Sequence, residues 1–248
     1  MKILVCISHV PDTTSKINFT EGDTKFDTNG VQFVINPNDE FGLTRAMWFK
    51  EKQGANVTVV NVGGAETEPT LRKALAIGAD AAIRVNTPAV DGFSVAKQLA
   101  NVVKDGAYDL VIAGRESIDY NGGMVPGVLA GLLQANFVTN CISLEIDGVS
   151  VKATREIDGG KESVTTTLPL VIGGQKGLVE ESDLRIPNMR GIMMARKKPL
   201  TVVEPIDTDV ETTSVSFEKP APKGAVTLVS SDNLDELVSL LHNEAKVI

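Results

Sequence analysis

The first 135 residues alternate short runs of Val, Ile and Leu with segments of helical period, and this alternation restricts the chain to consecutive βαβ units around a parallel sheet. The apolar runs predict strands at 3–7, 57–62, 81–85 and 110–113. Between them Leu71, Ala74, Leu75 and Gly78 recur at i, i+3, i+4, i+7. The same spacing links Ala96, Leu99, Ala100 and Val103, then Val125, Val128, Leu129 and Leu132, so each set predicts a helix laid on the sheet. A chain of 248 residues that is 42% hydrophobic can bury one substantial core. The expected architecture is a doubly wound, parallel-sheet α/β domain over 1–203 followed by an extended arm over 204–248.

Two stretches break the alternation. In 17–35 the turn dipeptides Gly22-Asp23 and Asn29-Gly30 separate short alternating segments and predict a hairpin excursion. Asn36 then offers a cap, and Asp39 and Glu40 place acids in the first turn of a helix carrying Leu43, Ala46 and Met47. From Cys141 to Gly160 the alternation resumes with turns at Asp147-Gly148 and Asp158-Gly159-Gly160, which predicts an antiparallel addition. Beyond Pro199 the chain turns rich in Pro, Thr, Ser and Glu and loses periodicity, as an extended surface arm does. Asp232 is the expected cap of a terminal helix carrying Leu234, Leu237, Val238 and Leu241. That apolar face has two possible seats, on its own domain or across a subunit interface.

Charge and motifs exclude several function classes. A net charge of −8, relieved by one short basic run at Arg196, Lys197 and Lys198, does not suit a nucleic-acid partner. The five apolar residues from Ile3 to Ile7 are too few for a secretion signal or a membrane span, and no other apolar run is long enough. A protein of the bacterial cytoplasm is expected, ahead of the mitochondrial matrix. Cys6 and Cys141 stand far apart and read as buried small hydrophobes, and His9 and His242 are isolated, so no metal centre is expected. No Ser/His/acid spacing or pair of buried carboxylates suggests a catalytic site.

In open parallel sheets ligands bind beyond the carboxyl ends of the strands, where strand order reverses. The loop after the first strand lacks G-x-G-x-x-G, and no Walker sequence occurs. The richest loop follows the fourth strand and contains Gly114, Arg115, Asp119, Asn121, Gly122, Gly123, Met124 and Val125 before an apolar helix. Its glycines would let the backbone approach an anion at the helix start, or they simply turn the chain. Composition and spacing lead to an α/β nucleotide binder with an interaction arm.

Beyond that point particular residues carry a resemblance. The segment 151–172, with Arg155-Glu156-Ile157-Asp158-Gly159-Gly160 and the later Leu168-Pro169, resembles the signature of electron transfer flavoprotein beta subunits. The opening strand, Asn36-Pro37-Asn38-Asp39-Glu40, 74–80, the loop from Gly114 and the basic run near 196 follow the same order, so the likeness covers essentially the whole chain. It implies a fold like the adenine nucleotide alpha hydrolases and a heterodimer whose alpha subunit holds most of an FAD. It also implies electron flow from acyl-CoA or similar dehydrogenases to a quinone oxidoreductase, without catalysis by this chain itself.

The resemblance further implies a structural AMP at Cys6, Asn36, Pro37, Asn38, Asp39, Val62 and the loop from Gly114 to Val125. A bifurcating subclass holds a second FAD instead, but its loop carries Thr and Gln that the stretch after Asp119 lacks, so AMP is favoured. A universal-stress-like nucleotide sensor and an adenylylating enzyme are the other readings, and each lacks its own glycine motif here. The segment of about 180–198 matches the part that docks dehydrogenases. Leu184 resembles its apolar anchor, against an ordinary half-buried core leucine. Glu156 resembles an acid that pairs with the alpha subunit, against a solvated strand carboxylate.

Overall fold

The structure, a computed structural model, describes all 248 residues. The chain opens with β1 (Lys2–Cys6) and β2 (His9–Pro11), forms a small hairpin from β3 (Phe19–Thr20) and β4 (Lys25–Phe26), and returns through β5 (Phe33–Ile35) to α1 (Pro37–Gln53). Next come β6 (Asn56–Val62), α2 (Glu68–Ile77), β7 (Ala81–Val85), α3 (Gly92–Gly106), β8 (Leu110–Gly114) and α4 (Val125–Leu133). The antiparallel strands β9 (Asn136–Asp147), β10 (Ser150–Ile157) and β11 (Gly160–Thr167) precede β12 (Leu170–Gly174), α5 (Met189–Ala195), β13 (Leu200–Val203) and the terminal α6 (Leu234–Ser239).

Nine strands form one sheet in the order β11-β10-β9-β12-β8-β1-β6-β7-β13. The run from β12 to β13 is parallel, as the buried Val/Ile/Leu strands require, because both faces are covered by helices. One face packs Ile3, Val5, Val57 and Val59 with Leu43, Met47, Leu71 and Leu75 from α1 and α2. The other packs Leu4, Val60 and Val111 with Ala96, Leu99 and Leu129 from α3 and α4. Successive side chains of a strand point to opposite faces, which is why neighbouring positions divide between two cores.

The predicted strands are all present to within a residue, and the doubly wound α/β class and antiparallel addition are observed. Gly148 and Gly159 turn that addition with φ of +59° and +81°, a region glycine enters without steric cost. Three details differ from expectation. Asn36 precedes α1 without capping it, because its side chain is bonded elsewhere. Asn233, not Asp232, caps α6 by accepting from the Glu236 N–H. Residues 200–203 form the edge strand β13 beside β7, closing the sheet before the arm begins. No helix is long and apolar enough to cross a membrane.

Candidate nucleotide site

Strand order reverses beside β1, since β6 and β7 extend to one side of it and β8 and β12 to the other. The carboxyl ends of β1, β6 and β8 open there into a cavity of about 510 Å³. This is the crevice in which doubly wound sheets hold ligands, and the volume is that of a small-molecule site. Cys6, Val60, Val62, Val95 and Leu99 give an apolar wall, while Asp119, Gly122, Met124 and Val125 bring in the loop before α4.

Of the expected site residues, Cys6, Asp39, Val62, Gly114, Asp119, Gly122, Met124 and Val125 line this cavity. Asn36, Pro37, Asn38, Arg115, Asn121 and Gly123 do not line it, and several of them act on the loop from behind. Asn36 donates through Nδ2 to the Glu116 carbonyl at 2.9 Å and accepts from the Ile118 N–H at 3.3 Å. Asn38 donates to the same carbonyl at 3.2 Å. Pro37 opens α1, Arg115 pairs with Glu116 at 3.0 Å, and Asn121 takes a φ of +50° in the turn. Gly123 passes close over Arg115, where an added Cβ would stand 3.2 Å from the Arg115 carbonyl oxygen.

Asp39 ties the two central strands together. Its buried carboxylate accepts from the Ser8 N–H at 2.7 Å and from the Gly114 N–H at 2.8 Å, joining the ends of β1 and β8. Any Cβ at Gly114 would collide with that carboxylate, so this glycine is required by packing. Burial outweighs the hydrogen bonds from Ser8, Asn36 and Gly114 and pushes the Asp39 carboxyl up to about 7. Burial, reinforced by Asp39, also raises the Cys6 thiol, which stays protonated and packs as an apolar group.

The sequence pattern did not single out Ser8, His9, Asn61, Glu66, Asp91 or 212–214 as site residues, yet all of them line the cavity. His9 stacks on Phe33 with ring centroids 4.4 Å apart, and its Nδ1 lies 2.8 Å from the Thr70 hydroxyl. Burial lowers its pKa against the pull of Glu66, which favours the neutral ring. Asn61 donates to the Ile7 carbonyl at 2.8 Å, while its buried Oδ1 has no partner within the chain. The only signal for these residues was their position after strands; nothing local could assign the residues of the arm.

The lining carries five carboxylates (Asp39, Glu66, Asp91, Glu116 and Asp119) and no Lys or Arg. Any phosphate here must therefore rest on backbone N–H groups and the positive end of a helix. The start of α4 suits that role, since no side chain caps it. With no basic side chain in the lining, the apolar wall and the uncapped helix start suit a ligand that carries few phosphates.

Leu184 is half-buried against the core, whereas Ile186 and Met189 nearby are 86% and 75% exposed. Glu156, on the exposed end of β10, accepts from the Gln175 side-chain amide.

The fold and cavity define a doubly wound α/β domain with a small-molecule-sized crevice at its switch point. Residues 23–208 match the model of the electron transfer flavoprotein domain. The chain is 37% identical to the electron transfer flavoprotein subunit beta of Bacillus subtilis, over all of both chains. It is 32% identical to the subunit beta of Bradyrhizobium diazoefficiens over all of both chains, and 32% identical to the Homo sapiens subunit beta over all of this chain and 99% of that one. The chain belongs to the electron transfer flavoprotein beta subunit family.

Proposed function

We propose that the chain holds a structural AMP in the cavity at the switch point and works as the beta half of a heterodimer whose alpha subunit carries the FAD. The observation that carries this reading is the cavity itself, apolar at the Cys6–Val62 wall and bounded on the other side by the uncapped start of α4. Cys6, Val62 and the backbone around Gly122, Met124 and Val125 would hold the nucleotide, with Asn36 and Asn38 fixing the loop behind it. The FAD supplies the redox chemistry when bound. This chain's residues only seat and orient: the Cys6 thiol is protonated, and the ring of His9 is engaged by Phe33 and Thr70. Electrons would come from acyl-CoA or similar dehydrogenases and leave to a quinone oxidoreductase.

Partner docking in this reading falls on the segment 180–198. Exposure favours Ile186 and Met189 over Leu184 as the apolar plug, since Leu184 already uses part of its apolar surface against its own core. The decisive experiment is to co-express the chain with its alpha subunit, denature the purified complex and identify the released nucleotides. One FAD and one AMP per heterodimer are expected. Two FAD would move the chain to the bifurcating class, and a colourless or unassembled product would sink the proposal.

A further inference from the structure

The arm leaves β13 with almost no regular structure, yet its first half lies on the chain's own domain at three places. The side-chain amide of Gln98, buried on α3, both donates to the Ile206 carbonyl at 2.7 Å and accepts from the Ile206 N–H at 3.0 Å. Asp91 divides its two carboxylate oxygens: Oδ1 caps α3 by accepting from the Ser94 N–H at 2.7 Å, and Oδ2 accepts from the Glu211 and Thr212 N–H groups at 2.7 and 2.9 Å. Farther on, Phe217 stacks on Phe19 of the β3–β4 hairpin at 4.9 Å and lies 6.5 Å from Tyr120, in the loop before α4. Its N–H donates to the Asp23 carbonyl at 2.7 Å.

At and just after the second attachment, Thr212, Thr213 and Ser214 form part of the cavity wall. The segment thus crosses from α3 to the opposite rim, and side chains of the domain satisfy the Ile206 N–H and carbonyl and the Glu211 and Thr212 N–H groups, which have no sheet to pair with. We propose that residues 206–217 are a latch that completes the nucleotide site and retains its occupant, with Asp91 and Gln98 as the positioning residues that hold it shut. The idea rests on the reading of the cavity as a nucleotide site. It differs from that reading in predicting how fast the nucleotide leaves.

The split carboxylate of Asp91 lets one substitution free the arm while keeping the helix cap. In Asp91→Asn the side chain keeps an oxygen for the Ser94 N–H, and Asn caps helices as well as Asp does. The Oδ2 position becomes an NH₂ facing two N–H donors, which releases the arm; because Asp91 also lines the cavity, its variant is read together with one at Gln98, which does not. Gln98→Leu removes the other clasp without touching the cap. The assembled complex is loaded with labelled AMP and chased with unlabelled AMP, and release is timed. Each variant is expected to release AMP about tenfold faster or more, the effect of losing one or two such bonds. In parallel, AMP should slow cleavage by a glutamate-specific protease at Glu211 in the parent and fail to do so in Asp91→Asn. Unchanged release from both variants overturns the latch while leaving the nucleotide site intact. A parent complex that retains no AMP overturns the nucleotide reading and the latch with it.

Discussion

Asp39 lines the cavity and joins the ends of two neighbouring strands through the Ser8 and Gly114 N–H groups. Its carboxyl stands at about 7 against an ordinary value near 3.8, because burial disfavours the charged form. Between those pH values the folded chain keeps a proton that the unfolded chain has released, so ionisation works against folding. Stability contributed at this position is therefore expected to fall as pH rises from about 4 through about 7, and to stay level above that. Urea denaturation of the parent and of Asp39→Asn between about pH 5 and pH 8 checks this, since the variant should lose that part of the slope. Equal slopes would show that another group is responsible. The sequence placed Asp39 in the first turn of α1, where it lies, but could not show that its side chain reaches Ser8 and Gly114 at the strand ends.

At the level of elements, the segment from Glu180 to the end of α5 sorts its apolar residues into one that packs inward and others that face outward. Leu184 turns in against the core, and α5, capped by Asn188 accepting from the Gly191 N–H at 2.7 Å, presents Met189 outward. Leu184→Ala is thus expected to cost about 1–3 kcal/mol of stability with little effect on docking. Ile186→Asp or Met189→Asp should leave stability within roughly 0.5 kcal/mol and weaken dehydrogenase binding by tenfold or more. Paired melts and binding titrations decide it; weakened binding in Leu184→Ala alone would restore the leucine as anchor. Local pattern made β1, β6, β7 and β8 legible, because buried parallel strands are uniformly apolar. It also made the glycine turns of β9–β11 legible. It could not reveal β13, whose four residues after a proline become a strand only by pairing with β7. Nor could it place the cavity residues of the arm, which are more than a hundred residues from Asp91 and Gln98, the side chains that seat them.

On the scale of the whole molecule, helices cover both faces of the parallel part of the sheet, but the chain continues into a tail that touches little. Leu234, Leu237 and Val238 of α6 are exposed, so the helix does not use its own domain as its seat. Deleting 224–248 should therefore leave the unfolding free energy of the isolated chain within roughly 0.5 kcal/mol of the parent, while abolishing stable association with the alpha subunit. A large loss of intrinsic stability on deletion would mean that the tail folds back in solution. Until a partner covers it, this exposed apolar helix is expected to be handled by chaperones and proteases as unfinished protein. Copies made in excess of the alpha subunit would be cleared, and the cellular half-life of the chain expressed alone should lengthen when the tail is removed. An amphipathic turn at the end of a polypeptide would in this way count subunits, matching the supply of one gene product to that of another.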